Sequence, residues 1–205
     1  MNKKHKKNVL VIVAHPDDET IWMGGTLLKI KDKQDSDVTL ICLCRKNDKD
    51  RFPKFQKACK NLGIKNYFIS DLDDFEEGYF KKISPQEIIK RILKVTKEKE
   101  YDSLFTHGKN GEYGHTRHKE IHNAVKEMLN KKLLNAKKVF FFSYLPKKDN
   151  FQGYAKYNPS AHKLIKLNSN ELVMKKNIIK NIYRYSEGGF EEKSSDKIEA
   201  FDNLK

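Results

Sequence analysis

The run Ala14-His15-Pro16-Asp17-Asp18-Glu19 packs one imidazole and three carboxylates into consecutive positions around a proline. An imidazole and a carboxylate three residues apart, His15 and Asp18, can face one ion, and such N/O donors suit zinc or a similar divalent metal. Asp17 is then a second carboxylate beside the ion, able to take a proton from a water whose pKa a bound metal lowers to about 7. The same cluster could instead serve as an acidic N-cap for a following helix. A second concentration runs from Thr106 to His118 through a Gly-punctuated loop, and five of the seven histidines are His15, His107, His115, His118 and His122. His115 and His118 are three apart and His118 and His122 four apart, spacings that share a helix face. His118-Lys119-Glu120-Ile121-His122 is not the helical zinc-protease motif, because that motif needs Glu directly after its first His and Lys119 holds the place.

These residues need a frame. Val9 to Val13 is a short, uninterrupted apolar run rich in β-branched residues, as expected of a strand buried on both faces of a parallel sheet. The acidic block follows where the sheet's carboxyl edge should lie, the edge at which open α/β sheets bind ligands. Pro16 fixes the turn, and Gly24-Gly25 allows chain and helix to approach closely. Beyond it, helical and strand patterns alternate: helix 25–33, strand 38–43, helix 51–62 closed by Gly63, strand 67–70 running into Asp71-Leu72-Asp73-Asp74, and helix 85–99 capped by Ser84. Strand 102–106 delivers the histidine block, followed by helix 119–132, strand 139–143, a long loop over 144–159, strand 163–167 and helix 171–185. Alternation of this kind predicts βαβ units and a mostly parallel sheet.

A length of 205 residues suits one α/β domain with a substantial core. Met1 to Lys7 is basic and polar with no apolar h-region, and no apolar run reaches the roughly 18 residues that span a bilayer, so a cytoplasmic protein is expected. Three cysteines, Cys42, Cys44 and Cys59, are an odd number and fit a reducing compartment. Cys42 and Cys44 are expected on one strand face, packing the core. The net charge of +14 comes from 42 basic and 28 acidic residues and raises the question of nucleic acid or an anionic surface. Only five of the basic residues are Arg, the type suited to bidentate phosphate contacts. No basic stripe with interleaved aromatics stands out, so no nucleic-acid partner is expected.

Ala14-His15-Pro16-Asp17-Asp18-Glu19 after a hydrophobic strand resembles the signature of the LmbE-like, or PIG-L-like, zinc-dependent N-deacetylases, which act on N-acetylglucosamine-type sugars. A Gly-His dipeptide with another His three residues on, here Gly114-His115 and His118, resembles the family's second block. The resemblance implies a Rossmann-like three-layer α/β sandwich forming one domain over 1–205. It implies His15, Asp18 and His118 as ligands of Zn2+ or another divalent metal, Asp17 as base, His115 as proton donor or oxyanion stabiliser, and Tyr113 on the oxyanion. Arg51 and Glu19 are expected to bind substrate, and His122 to lie on the helix surface or, as the less favoured alternative, behind the site. Thr116-Arg117 stands where relatives often have Pro-Asp or Pro-Asn, and an Arg cation there would lower the pKa of His115. Glu112 is the candidate to replace the missing carboxylate. Tyr185-Ser186-Glu187 and Glu199-Ala200-Phe201 resemble later family segments.

The implied reaction is metal-dependent hydrolysis of an N-acetyl amide on an amino sugar, a substrate that a basic surface would favour carrying phosphate or a lipid link. Tyr154 and Tyr157 are candidates to stack on the sugar or to pack their loop. Hydrolysis of another N-acyl amide and a non-catalytic basic binding protein are the alternatives, and a homo-oligomer is compatible.

Overall fold

The computed structural model describes residues 6–74, 81–96, 100–148 and 153–204. In chain order they form β1 (Lys7–Val13), α1 (Asp18–Lys33), β2 (Ser36–Cys44), α2 (Arg51–Asn61), β3 (Asn66–Leu72), α3 (Pro85–Leu93), β4 (Glu100–Tyr101), β5 (Ser103–Thr106), α4 (Gly111–Gly114) and α5 (Thr116–Asn130). Then come β6 (Asn135–Ala136), β7 (Val139–Phe142), β8 (Tyr144–Lys148), β9 (Gly153–Tyr157), β10 (Lys163–Lys166), α6 (Ser169–Asn177), α7 (Phe190–Ser194) and β11 (Ile198–Asn203). A π-helical turn at Ile178–Ile182 continues α6.

β1 shows why its sequence has no polar alternation. Val9, Val11 and Val13 enter one core with Trp22, Leu28, Phe55 and Ile178, while Leu10, Ile12 and Ala14 enter a second with Ile88, Ile92, Ile121 and Val125. Helices therefore cover both faces of β1, and each fully buried Val, Leu or Ile contributes roughly 1.5–3 kcal/mol.

The main sheet has seven strands in the order β10-β11-β7-β5-β1-β2-β3. β3, β2, β1, β5 and β7 are parallel, and β11 runs antiparallel to β7. The chain steps outward from β1 to β2 and β3, then returns to place β5 on the other flank of β1. Strand order reverses between β1 and β5, so the crevice beyond their carboxyl ends is the topological switch point at which such sheets bind ligands.

Several elements differ from expectation. α1 starts at Asp18, inside the acidic block, and breaks at Met23 (φ −147°, ψ 19°). The second half of α1 is capped from the far end of the chain: Glu199 on β11 accepts the N–H groups of Gly25 at 2.8 Å and Thr26 at 2.7 Å. Glu199 is itself paired with Lys175 at 2.8 Å, both fully buried. The supposed loop over 144–159 is mostly a hairpin, β8 pairing with β9 from Tyr144↔Tyr157 to Lys148↔Gly153. α3 ends at Leu93, and residues 97–99, expected in it, lie outside the described residues. A register shift between Cys42 and Cys44 sends them into opposite cores, so they do not share a face.

Candidate active site

β1 and β5 deliver the two histidine-bearing segments to the switch point. Three side chains converge there: His15 Nδ1 lies 3.3 Å from His118 Nε2 and 3.4 Å from Asp18 Oδ2, and His118 Nε2 lies 3.4 Å from the same oxygen. A tetrahedral ion held about 2.0–2.1 Å from each donor needs donor spacings about 1.6 times that bond, near 3.3–3.4 Å. The triangle fits a zinc-like cation. Two imidazoles and one carboxylate leave further coordination positions open, the pattern of catalytic rather than structural sites.

The surrounding bonds fix which atoms can serve. Asp18 Oδ1 accepts the Trp22 indole N–H at 2.8 Å and Oδ2 accepts the His15 N–H at 2.8 Å. Glu112, fully buried, hydrogen-bonds Nδ1 of His118 and, at 2.9 Å, Nδ1 of His107, and accepts the Gly108 N–H at 2.7 Å. Its carboxylate thus orients His118 so that Nε2 faces the cluster, the usual outer partner of a metal-binding histidine. It does not reach over to His115 as the missing carboxylate. Burial would push the Glu112 carboxyl up, but His107 and His118 outweigh it and hold it at about 2. Asp18 follows the same logic: burial raises it, and the imidazoles of His118 and His107 bring it well below the carboxylate range. His107 also stands near Asp18, but its Nε2 accepts the Ala14 N–H at 2.9 Å, which occupies that lone pair. A side chain at position 108 would place its Cβ 2.2 Å from the Phe142 carbonyl oxygen, so this loop needs glycine there.

Asp17 sits at φ 123°, in left-handed space that costs a non-glycine residue energy and recurs at functional sites. Its Oδ2 accepts Arg51 Nη1 at 2.9 Å and the Tyr185 hydroxyl, and the Arg51 guanidinium lies over the Tyr185 ring. Burial, then the charge of Asp18, pushes the Asp17 carboxyl well above its ordinary value, against the pull of Arg51. Glu19 is fully buried and bonded to Thr20, Tyr183 and the Asp17 N–H. It does not line the pocket, so it supports Asp17 from behind and is not placed to bind substrate.

His115 caps α5, its Nδ1 accepting the Arg117 N–H at 3.2 Å. Burial, then His118 and His15, lowers its pKa to about 3. The Arg117 guanidinium is not the cause: it is fully buried and turned to Glu120 and the Lys81 carbonyl. His122 is not on the helix surface. It is 5% exposed and its Nδ1 bonds the His107 carbonyl oxygen at 2.9 Å.

The pocket in front of the cluster is lined by His15, Asp17, Asp18, Arg51, Tyr113 and His115, with Ile21, Trp22, Phe190, Arg45, Asp74 and Glu191 around them. Tyr113 stacks edge-on with Phe190 at 4.6 Å and with His115 at 5.6 Å. Tyr154 and Tyr157 are not in this lining. Tyr157 packs on the core and Tyr154 receives Lys156 and Lys193 over its ring. Arg45, Phe190 and Glu191 were not foreseen from the sequence, and Tyr185 and Asp74 were given no role there; Tyr185 carried a signal as part of a segment resembling the family, and Asp74 as an acid expected at a strand's carboxyl end.

Residues 10–129 match the family described as PIG-L, GlcNAc-PI de-N-acetylase. The chain is 27% identical over 133 residues to a probable N-acetylglucosaminyl-phosphatidylinositol de-N-acetylase of Dictyostelium discoideum, covering 62% of this chain and 51% of that protein. It spans about half the length of the curated relatives it matches. Among solved structures it resembles the N,N'-diacetylchitobiose deacetylase of Pyrococcus horikoshii, with a TM-score of 0.67 at 18% identity over 97% of this chain and 84% of that one. It equally resembles the 4-carboxy-2-hydroxymuconate hydratase of Pseudomonas putida, with a TM-score of 0.65 at 14% identity over 97% and 96%. Shared architecture therefore does not choose the chemistry. The match over most of β1 to α5, which contains both histidine-bearing segments, decides membership: this chain belongs to the PIG-L (LmbE-like) family.

Proposed function

We propose that this protein is a divalent-metal-dependent N-deacetylase, with zinc the fitting ion, that hydrolyses the acetamide of an N-acetylglucosamine-type sugar. The observation that carries the reading is the 3.3–3.4 Å donor triangle of His15, Asp18 and His118 facing a pocket that also holds Asp17 and His115. The bound cation would supply Lewis acidity to the acetyl carbonyl and lower the pKa of water.

The remaining work falls to the chain. Asp17 has one oxygen committed to Arg51 and Tyr185, and we assign its other oxygen to take the proton of the attacking water. A carboxyl raised by burial is a better base near neutral pH than an ordinary one. His115 accepts the Arg117 N–H through Nδ1, so the neutral ring carries its proton on Nε2. A neutral imidazole at a helix N-terminus can donate to the developing oxyanion without being charged, as in other enzymes that depress a histidine pKa this way. Tyr113 is assigned as a second donor. The proton gathered by Asp17 then goes to the leaving amine, completing hydrolysis to acetate and the amino sugar.

Tyr113 and Phe190 offer flat apolar surface for a sugar ring, Glu191 an acceptor for hydroxyls, and Arg45 and Arg51 positive charge for an anionic substituent such as phosphate. A cytoplasmic, single-domain enzyme remains part of this proposal; among the described residues no helix is long and apolar enough to cross a membrane.

The test is to load the protein with zinc, confirm about one ion per chain, and measure acetate released from N-acetylglucosamine, N,N'-diacetylchitobiose and N-acetylglucosaminyl-phosphatidylinositol. Release from at least one, lost on chelation and restored by metal, is expected. A fully metal-loaded protein inert to all three sinks the deacetylase reading.

A further inference from the structure

His15 has a second partner that the reaction does not call upon. Asp74, two residues past β3, places Oδ1 3.2 Å from His15 Nε2, an ion-pair distance at which a small turn of the ring would align the hydrogen bond. Its other oxygen accepts two donors of one guanidinium, Arg45 Nε at 2.9 Å and Nη2 at 2.7 Å. Arg45 is brought there by local backbone geometry: it follows the register shift between Cys42 and Cys44 and sits at φ 71°. Asp74 is largely enclosed, its side chain 9% exposed, and Arg45 is 40% exposed at the pocket's rim.

The two ring nitrogens of His15 therefore have separate tasks. Nδ1 faces Asp18 and His118, and Nε2 faces Asp74. An imidazole that donates its Nε2 proton to a carboxylate presents Nδ1 as a lone pair, the form a metal requires. We propose that Asp74, held in turn by Arg45, is a positioning residue that fixes the tautomer and ring plane in which His15 can bind the metal. The inference rests on the reading of His15, Asp18 and His118 as the metal site. On this reading the cluster is doubly supported: Glu112 hydrogen-bonds His118, and Asp74 stands at ion-pair distance from His15. Asp74 and Arg45 come from the ends of β3 and β2, whereas Glu112 comes from α4, beyond β5, so each flank of the switch point supplies one orienting carboxylate.

A near-isosteric change separates this role from simple packing. In Asp74→Asn, keeping an acceptor toward Arg45 turns the amide NH2 against His15 Nε2. That nitrogen must then accept, the ring proton moves to Nδ1, and the metal loses its donor. Zinc affinity of the full-length protein, measured by competition with a chromophoric chelator, should fall by about 10- to 100-fold. Adding Arg45→Ala frees the amide to flip its oxygen toward His15 and should recover part of the loss. The cobalt-substituted spectrum should keep the shape of the unaltered protein in every variant that binds, because the ligand set is unchanged.

Unaltered zinc affinity in Asp74→Asn, with about one zinc per chain in the parent, overturns the positioning role and leaves the metal site standing. A loss as complete as that of His15→Ala, or a cobalt spectrum showing one ligand fewer, makes Asp74 a direct ligand and also overturns it. Failure of Arg45→Ala to recover any affinity has the same effect. A parent protein that binds no zinc removes the metal site and this inference together.

Discussion

Asp17→Asn isolates the proposed base. The amide oxygen can still accept Arg51 Nη1 and the Tyr185 hydroxyl, which both bond one oxygen of the native side chain. Asn also tolerates the φ of 123° better than most residues, and His15, Asp18 and His118 are untouched. What disappears is proton acceptance by the other oxygen, which in general-base catalysis contributes on the order of 10²- to 10⁴-fold, or roughly 2.7–5.4 kcal/mol of barrier at 1.36 kcal/mol per factor of ten. Zinc content should stay at the parent level while kcat for acetate release falls by that factor and KM changes little. Two further substitutions test whether the backbone is strained. Asp17→Gly and Asp17→Ala both lose the Arg51 and Tyr185 bonds, but only glycine relieves the left-handed conformation. The glycine variant should therefore be more stable to urea by about 1 kcal/mol, the low end of the cost of such a residue. Both should be inactive. An Asp17→Asn enzyme retaining a tenth or more of parent turnover, with its metal in place, refutes the base assignment. Equal stability of the glycine and alanine variants refutes the strain.

Other perturbations probe the scaffold around the site. Saturating the apo protein with zinc at about 100 times its dissociation constant should raise unfolding free energy by roughly 2.7 kcal/mol. A denaturation midpoint indifferent to zinc and chelator contradicts the donor triangle. Glu199→Gln leaves the Lys175 ammonium buried without its counter-charge, a change that costs about 3–5 kcal/mol; a loss below about 1 kcal/mol in urea titration counts against a buried ion pair. Gly108→Ala forces a Cβ to 2.2 Å from the Phe142 carbonyl, so destabilisation of about 1–3 kcal/mol is expected, with weaker zinc binding because Glu112 bonds the same backbone. Parent-like stability and zinc affinity there mean the loop accommodates the methyl.

The readable parts of the site were those whose partners lie nearby in sequence. Val9 to Val13 announced a buried strand because both of its faces are covered, and the acids behind it could only fall at the sheet edge. His115 and His118 are joined by helix spacing. Asp74, Glu112, Arg45 and Tyr185 act on atoms delivered by distant segments, and no local period points to such meetings. Helix α1 was placed too late because its first turn is built of acids and its middle of glycines, features of a loop until tertiary contacts override propensity. The break at Met23 is stabilised by Glu199, which lies far down the chain. The hairpin of β8 and β9 was hidden by its Tyr, Lys, Asn and Gly content. The π turn after α6 leaves no mark in residue type at all. Cys44 departs for one reason, a single register shift that turns this last residue of β2 to the opposite face.

The clasp between Glu199 and the Gly25 and Thr26 amides joins positions 174 and 173 residues apart. During synthesis at about 5–20 residues per second, the proposed catalytic loop leaves the ribosome roughly 10 to 35 s before the strand that secures the helix behind it. Such a long closure is slow to form and ranks among the later events of folding. If His15, Asp18 and His118 hold the metal as proposed, the nascent chain would carry all three well before it could hold them in place, and metal capture would report that β11 has docked. Timed metal uptake during refolding should accordingly follow the slowest folding phase and not precede it.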